Sequence, residues 1–156
     1  MMNDGKAYDA DEVRIFISHS CSEKERALEI CDDGFTISVV NRSGYRNLLS
    51  KIDKNAVFLI AKIGEKIVGY AAFYTNNRVE KIAYLTLIGV EKNYQGKKIG
   101  TKLMKKAIMI AKDNDMNIMK LEVLDTDKGA QNFYKKMGFQ IKQRCSEKSL
   151  YMECNI

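Results

Sequence analysis

Residues 81–104, Lys81-Ile82-Ala83-Tyr84-Leu85-Thr86-Leu87-Ile88-Gly89-Val90, then Glu91-Lys92-Asn93-Tyr94-Gln95-Gly96-Lys97-Lys98, then Ile99-Gly100-Thr101-Lys102-Leu103-Met104, form the stretch on which the fold turns. The first ten are almost wholly apolar, with β-branched and aromatic side chains, as in a central strand covered on both faces. A polar loop with glycine follows. Ile99, Leu103, Ala107, Ile110 and Ala111 then recur at helical spacing with Met104 and Ile108 beside them, and Lys102, Lys105, Lys106 and Lys112 take the other face. Strand, glycine-containing loop and helix make a cradle for phosphate, because a helix N-terminus offers unpaired N–H groups and the positive end of its dipole. Lys97, Lys98 and Thr101 add charge and a hydroxyl donor.

Working outward, residues 57–63 and 67–74 read as two strands joined at Gly64-Glu65-Lys66, and Asn76-Asn77-Arg78 turns the chain toward the central strand. Residues 13–17 suit a first strand. Ser20 or Ser22 then caps a helix through Glu23, Ala27, Leu28 and Cys31 that ends at Asp32-Asp33-Gly34, and a second helix is expected over 43–52 from Tyr45, Leu48, Leu49 and Ile52. Beyond the long helix come a strand at 118–124, a short helix at 128–137 with Ala130, Phe133, Tyr134 and Met137 inward, and two closing strands at 139–143 and 150–154. Gly138 suits the left-handed position just past that short helix. Residues 1–11 are polar and read as a loose lead-in to a single domain over 1–156.

A chain of 156 residues with 46% hydrophobic and 29% charged residues fits one core that buries roughly 68 to 70% of the unfolded surface. The longest apolar runs fall far below the roughly 18 to 20 residues of a transmembrane helix, and the N-terminus lacks a signal-peptide apolar core, so a cytoplasmic protein without a membrane partner is expected. Cys21, Cys31, Cys145 and Cys154 form no C-x-x-C pair, and His19 is the only histidine, which leaves poor ligand supply for zinc; no metal is expected. Twenty-six basic against 20 acidic residues give a net charge of +6 and favour an anionic partner. Nucleic acid is disfavoured, since the lysines map largely to one amphipathic helix without an aromatic platform.

Two phosphate motifs fail on register. A Walker loop ends in glycine, lysine and serine or threonine, whereas the order here is Gly100-Thr101-Lys102; a dinucleotide fingerprint needs G-x-G-x-x-G after an early strand, whereas Gly96 and Gly100 are four apart after a late one. Val90 with Tyr94-Gln95-Gly96-Lys97-Lys98-Ile99-Gly100-Thr101-Lys102-Leu103, then Leu121-Glu122-Val123, then Ala130-x-x-Phe133-Tyr134-x-x-x-Gly138-Phe139, resembles the acetyl-CoA-binding core of the GNAT acyltransferases over residues 57–143. The family block is Q/R-x-x-G-x-G/A. Gln95 and Gly100 match its ends, and Lys98 stands where the middle glycine belongs. A positive φ there would cost lysine about 1 kcal/mol relative to glycine.

The resemblance implies a mixed α/β fold: a central, mostly antiparallel mixed sheet of six to seven strands flanked by about four helices and splayed at the acetyl-CoA site. It implies an N-acetyltransferase using acetyl-CoA as cosubstrate and acting on a primary amine of a small molecule, as monomer or homodimer. The alternatives are a protein N-terminal or lysine acetyltransferase, or a catalytically weak CoA-binding sensor. It assigns cosubstrate binding to Ile88, Val90, Gln95, Gly96, Lys97, Lys98, Ile99, Gly100 and Thr101, with Ala130 and Phe133 on the short helix. Tyr134 becomes the acid that protonates the departing thiolate. An alkylamine with a pKa near about 10 also needs a base. Alternation along the central strand puts Glu80, Ile82, Tyr84, Thr86, Ile88 and Val90 on one face; the resemblance implies base or water-holding groups at Tyr84 and Thr86, Glu80 is the nearest carboxylate on that face, and Glu122 in the neighbouring strand is a second candidate. Tyr45, Tyr74, Tyr84 and Arg42 lie in segments that flank the family's acceptor site.

Overall fold

The period-two and period-3.6 patterns resolve, in a computed structural model that describes residues 12–156, into seven strands and four α-helices. In chain order they are β1 (Arg14–Ile17), α1 (Cys21–Ile30), α2 (Tyr45–Asn55), β2 (Val57–Ile63), β3 (Lys66–Asn77), β4 (Ile82–Val90), α3 (Ile99–Asp113), β5 (Ile118–Leu124), α4 (Lys128–Lys136), β6 (Gln140–Arg144) and β7 (Ser149–Asn155). They form one sheet in the order β1-β2-β3-β4-β5-β7-β6, with β4 at its centre. Only β4 and β5 run parallel; every other neighbouring pair is antiparallel. The mixed α/β architecture expected from sequence is present, and the lead-in 1–11 lies outside the described residues.

Each face of the sheet packs against a helix pair because alternate residues point to opposite sides. Leu59, Ala71, Phe73, Ala83, Leu85, Met119 and Leu121 pack under Ile99, Leu103, Met104 and Ala107 of α3, with Phe133 and Tyr134 of α4 at the margin. Phe58, Ile60, Tyr70, Ala72 and Leu87 pack under Ala27 and Leu28 of α1 and Leu49 and Ile52 of α2. The second pair covers only the β2–β4 half, so β5 and β7 present Lys120, Glu122, Tyr151 and Glu153 on a face no helix covers.

Local chemistry sets the ends of the helices. Ser20 Oγ accepts from Glu23 N at 3.2 Å and starts α1, and Asp127 accepts from Ala130 N at 3.0 Å and starts α4. Gly138, at φ 99°, ends α4 where the sequence places it. Inside α4 the fully enclosed side chain is Gln131, whose Nε2 donates to the Leu124 and Asp125 carbonyls at 2.9 and 3.0 Å; Ala130, Phe133, Tyr134 and Met137 pack only partly.

Two expectations need correction. β3 does not stop at Tyr74: a bulge between Tyr74 and Asn77 lets the ladder run on, and Asn77 Oδ1 accepts from Glu80 N at 3.1 Å to close the turn at 78–81. β4 therefore begins at Ile82, after Lys81 at φ 56°.

Candidate active site

Ala72 and Phe73 are neighbours on β3, yet their partners on β4 are Leu87 and Leu85. Thr86 is the unpaired extra residue, a β-bulge that switches the faces of the strand after it. Before it, Ala83 and Leu85 point to α3 and Tyr84 to the open side; after it, Leu87 joins the α1–α2 core while Ile88 and Val90 turn toward α3. The expectation that Tyr84, Thr86, Ile88 and Val90 share one face is therefore wrong, because simple alternation does not survive an inserted residue. Glu80 is also off that face: it sits in the exposed turn ahead of β4, separated from the strand by the left-handed Lys81.

The parallel pairing of β4 with β5 covers only Ile82–Leu85 against Ile118–Leu121. Beyond it the strands part. Glu91 N donates to Val68 O at 2.8 Å, so by the antiparallel alternation Gly89 and Leu87 also face β3, and the main-chain groups of Ile88 and Val90 face the gap. Ile88 and Val90 are among the residues to which the resemblance assigns cosubstrate binding.

At the end of the gap Gln95–Lys98 lead into α3. Gly96 has φ 80° and Lys98 φ 65°, ψ 18°, so the lysine in the glycine position adopts the left-handed conformation and caps α3. Lys98 thus takes at this position a backbone conformation that glycine adopts without cost. Ile99 is buried, whereas Thr101 is half-buried on the first turn. Lys97 Nζ lies 5.7 Å from the Tyr94 ring centre. Gln95 directs its amide inward: Nε2 donates to Val90 O at 3.2 Å and to Gly34 O at 3.4 Å, tying the loop to the end of β4 and to the turn after α1. A Cβ on Gly34 would overlap the Val90 carbonyl oxygen, so this contact demands glycine. Gly34 carries no motif, and sequence reading gave it only the role of helix terminator.

The α4 side supplies Phe133 and Tyr134. A Cβ built on Gly100 would lie 3.5 Å from Phe133 and 3.7 Å from Val90, which fixes the proximity of α4, the loop and the end of β4. Tyr134 packs edge-on between Phe133 and Phe139, at 5.4 and 5.9 Å between ring centres. Burial, with a smaller contribution from the Asp127 charge, pushes its phenol up to about 12, so at neutral pH it is an O–H donor.

The opposite side is polar. Tyr84 stands beside Tyr74 on β3 and Lys120 on β5. Burial first, then the nearby Glu122, Tyr151 and Cys145, push its phenol up to about 12, so it is no base at neutral pH. Glu122, one residue past the last β4–β5 pair, accepts from Ser149 Oγ at 2.6 Å and is exposed on the face opposite Leu121 and Val123. Lys120 Nζ lies 4.1 Å from the centre of the Tyr151 ring. The expected acceptor-side residues divide: Tyr45 and Arg42 line a cavity of about 570 Å³ between α1 and α2 with Glu25, Glu29 and Arg46, whereas Tyr74 is paired with Tyr84 on the sheet and carries Lys51 over its ring at 5.5 Å.

Known proteins share this arrangement. Residues 25–139 match the Acetyltransferase (GNAT) family. An uncharacterized N-acetyltransferase of Methanocaldococcus jannaschii is 36% identical over 103 residues, covering 64% of this chain and 45% of that protein. A putative [ribosomal protein bS18]-alanine N-acetyltransferase of Bacillus subtilis is 28% identical over 116 residues, 74% of each chain. The crystal structure of PaiA N-acetyltransferase from Thermoplasma acidophilum in complex with coenzyme A superposes with TM-score 0.75 at 20% identity over 92% of this chain and 99% of that one. The chain spans about half the length of the first curated relatives it matches. With a family match over residues 25–139 and a sheet that opens between β4 and β5 ahead of a glycine-containing loop and α3, the chain belongs to the acetyltransferase (GNAT) family.

Proposed function

We propose that the chain transfers the acetyl group of acetyl-CoA to a primary amine of a small molecule. The observation that carries this reading is the gap between β4 and β5, with the protonated Tyr134 on one face of the sheet and Glu122 on the other. A thioester lying in the gap along the Ile88 and Val90 backbone would have an acid behind its sulfur and a carboxylate before its carbonyl. The main-chain N–H groups of Gly96–Thr101 and the charges of Lys97 and Lys98 suit the diphosphate. Gln95 acts by holding this loop to β4, and Ala130 and Phe133 close the α4 side.

In the reaction the amine nitrogen forms a bond to the acetyl carbon, the carbon–sulfur bond breaks, the amine proton leaves to a base and the phenol proton of Tyr134 passes to the thiolate. Glu122 is the better base than Glu80, because it lies at the mouth of the gap while Glu80 sits in the exposed turn ahead of β4, at the other end of that strand. Water held by Thr86 or Tyr84 can relay the proton, and a backbone N–H at the bulge polarises the carbonyl. The acceptor face offers the Glu122 and Glu153 carboxylates, the rings of Tyr84 and Tyr151 and the Lys120 ammonium, with the acidic and aromatic groups suited to a compact cation. Four free thiols accord with a reducing compartment, and the cytoplasm is the location we propose.

A second reading, transfer to the α-amine of a protein N-terminus, is favoured by the Bacillus relative, which aligns over 74% of both chains. Thiol release from acetyl-CoA, measured with a panel of small amines beside a panel of N-terminal peptides, separates the two. Turnover on small amines supports the first; turnover on peptides alone supports the second. CoA binding with no turnover on either makes the chain a sensor.

A further inference from the structure

Hydroxyl groups from the turn between β6 and β7 reach Glu122 as a chain. Ser149, buried at the start of β7, has its Oγ 2.6 Å from Glu122 Oε2, and Ser146 Oγ lies 2.9 Å from Ser149 Oγ. Proton count fixes the direction of the chain. A carboxylate that serves as a base is ionised and only accepts, so Ser149 gives its single hydroxyl proton to Glu122; Ser149 then has lone pairs alone, so Ser146 donates to it. Ser146 Oγ in turn accepts from Lys148 N at 3.2 Å. Successive donors thus point toward one carboxylate oxygen, an arrangement in which each bond polarises the next.

The turn that carries the chain is itself fixed. Cys145 N and Ser146 N donate to Ser149 O at 2.9 and 3.3 Å, and Asp125 N donates to Lys148 O at 2.8 Å. Arg144 Nη1 donates to the Ser146 and Glu147 carbonyls at 3.3 and 3.1 Å and to Asp125 Oδ2 at 2.9 Å. Around Glu122 stand Tyr84 of β4, Tyr151 of β7 and Cys145 of the turn, with Lys120 and Glu153 as the next register pair along β5 and β7. The Glu122 side chain is exposed, and without a fixed partner an exposed glutamate spreads over several rotamers.

From this chain we propose that Ser149 is a positioning residue for the base, with Ser146 as its support: Ser149 fixes Glu122 Oε2 and leaves Oε1 to take the proton of the incoming amine. The inference rests on the reading of Glu122 as the base. Removing the hydroxyl releases the carboxylate to other rotamers, which slows the reaction without weakening the binding of either substrate.

The test is a double-mutant cycle on acetyl transfer to an amine that the panel shows to be turned over, with the CoA dissociation constant and thermal unfolding of each protein measured alongside. Ser149→Ala is expected to lower kcat about tenfold, the scale of one lost hydrogen bond to a charged group, with KM and CoA affinity within about twofold of the parent. In a Glu122→Gln background the same substitution is expected to add no further loss, because no base is left to position. Ser146→Ala, cycled in the same way, gives a smaller loss with the same dependence on Glu122, and carries the test if Ser149→Ala fails to fold. Full kcat in both serine variants overturns the proposal, as does a loss of equal size in the parent and Glu122→Gln backgrounds, which would mark a purely structural role. A loss in Glu122→Gln with none in the serine variants removes this inference alone, whereas parental turnover in Glu122→Gln removes the base assignment together with it.

Discussion

The Gln95 side-chain amide donates to the Val90 carbonyl at 3.2 Å, and the Gly34 carbonyl receives the same group at 3.4 Å. One amide thus joins three segments: the turn after α1, the end of β4 and the loop ahead of α3. The close passage of Gly34 over Val90 makes the joint sensitive to a single methyl. Gly34→Ala is expected to lower stability by about 1–3 kcal/mol, the usual cost of forcing atoms into a filled site, and to weaken CoA binding. Chemical denaturation and a CoA titration check both; unchanged stability would show that the turn moves aside freely.

Lys98 holds φ 65° without a side-chain cap on α3. Lys98→Gly is expected to keep the loop and raise stability by up to about 1 kcal/mol, while Lys98→Val, β-branched at a left-handed position, loses about 1–2 kcal/mol. CoA affinity falls several-fold in Lys98→Gly through loss of charge and further in Lys98→Val through loss of loop shape. Thermal unfolding with and without CoA reads these effects. A Lys98→Gly protein less stable than the parent would mean that the lysine side chain stabilises the loop.

Glu122 and Glu80 differ in where the fold puts them, and their variants should differ accordingly. Glu122→Gln is expected to lower kcat/KM by about 10²-fold or more at pH 7, the scale of general base catalysis, with the deficit shrinking toward pH 10 as the free amine becomes available without a base. Glu80→Gln should stay within about twofold of the parent, because an exposed charge away from the gap perturbs little. A pH profile of each variant decides, and equal losses in both would remove Glu122 from the role.

The alkaline limb follows from Tyr134. Its phenol, pushed up to about 12 by burial, must be protonated to act, so the activity it supplies is present below that value and is lost as pH rises through it. The rate–pH profile is therefore expected to climb as the amine deprotonates and to show no fall below about pH 10, where an ordinary tyrosine begins to ionise. A fall near pH 8 to 9 would assign the acid to another group.

Much of this was legible in the chain. The apolar run of residues 82–90, the stripe Ile99, Leu103, Ala107, Ala111 and the Gly138 stop gave strands, helices and order because local spacing encodes them. The Gln95–Gly100 block and Tyr134 carried the family resemblance. What escaped was set by tertiary contact. No spacing rule announces the bulge at Thr86, which arises from the mismatch of β3 with β4 and switches the face of everything after it. Gln131 reads as a surface polar residue until it is seen to cap two carbonyls. Lys24 is buried on α1 because Asp53, on α2 and far away in sequence, lies 3.0 Å from its ammonium. Gly34 looks like a mere terminator, and its need for glycine exists only where the chain crosses Val90.

In the proposed reaction Tyr134 delivers a proton to a thiolate formed in the gap between β4 and β5. Thiol release from acetyl-CoA in Tyr134→Phe, set beside the CoA dissociation constant of the same protein, tests it most directly. A loss of about 10²-fold or more in kcat is expected, with CoA affinity within about twofold of the parent, since the ring and its packing against Phe133 and Phe139 are retained. Turnover unchanged in Tyr134→Phe would contradict it.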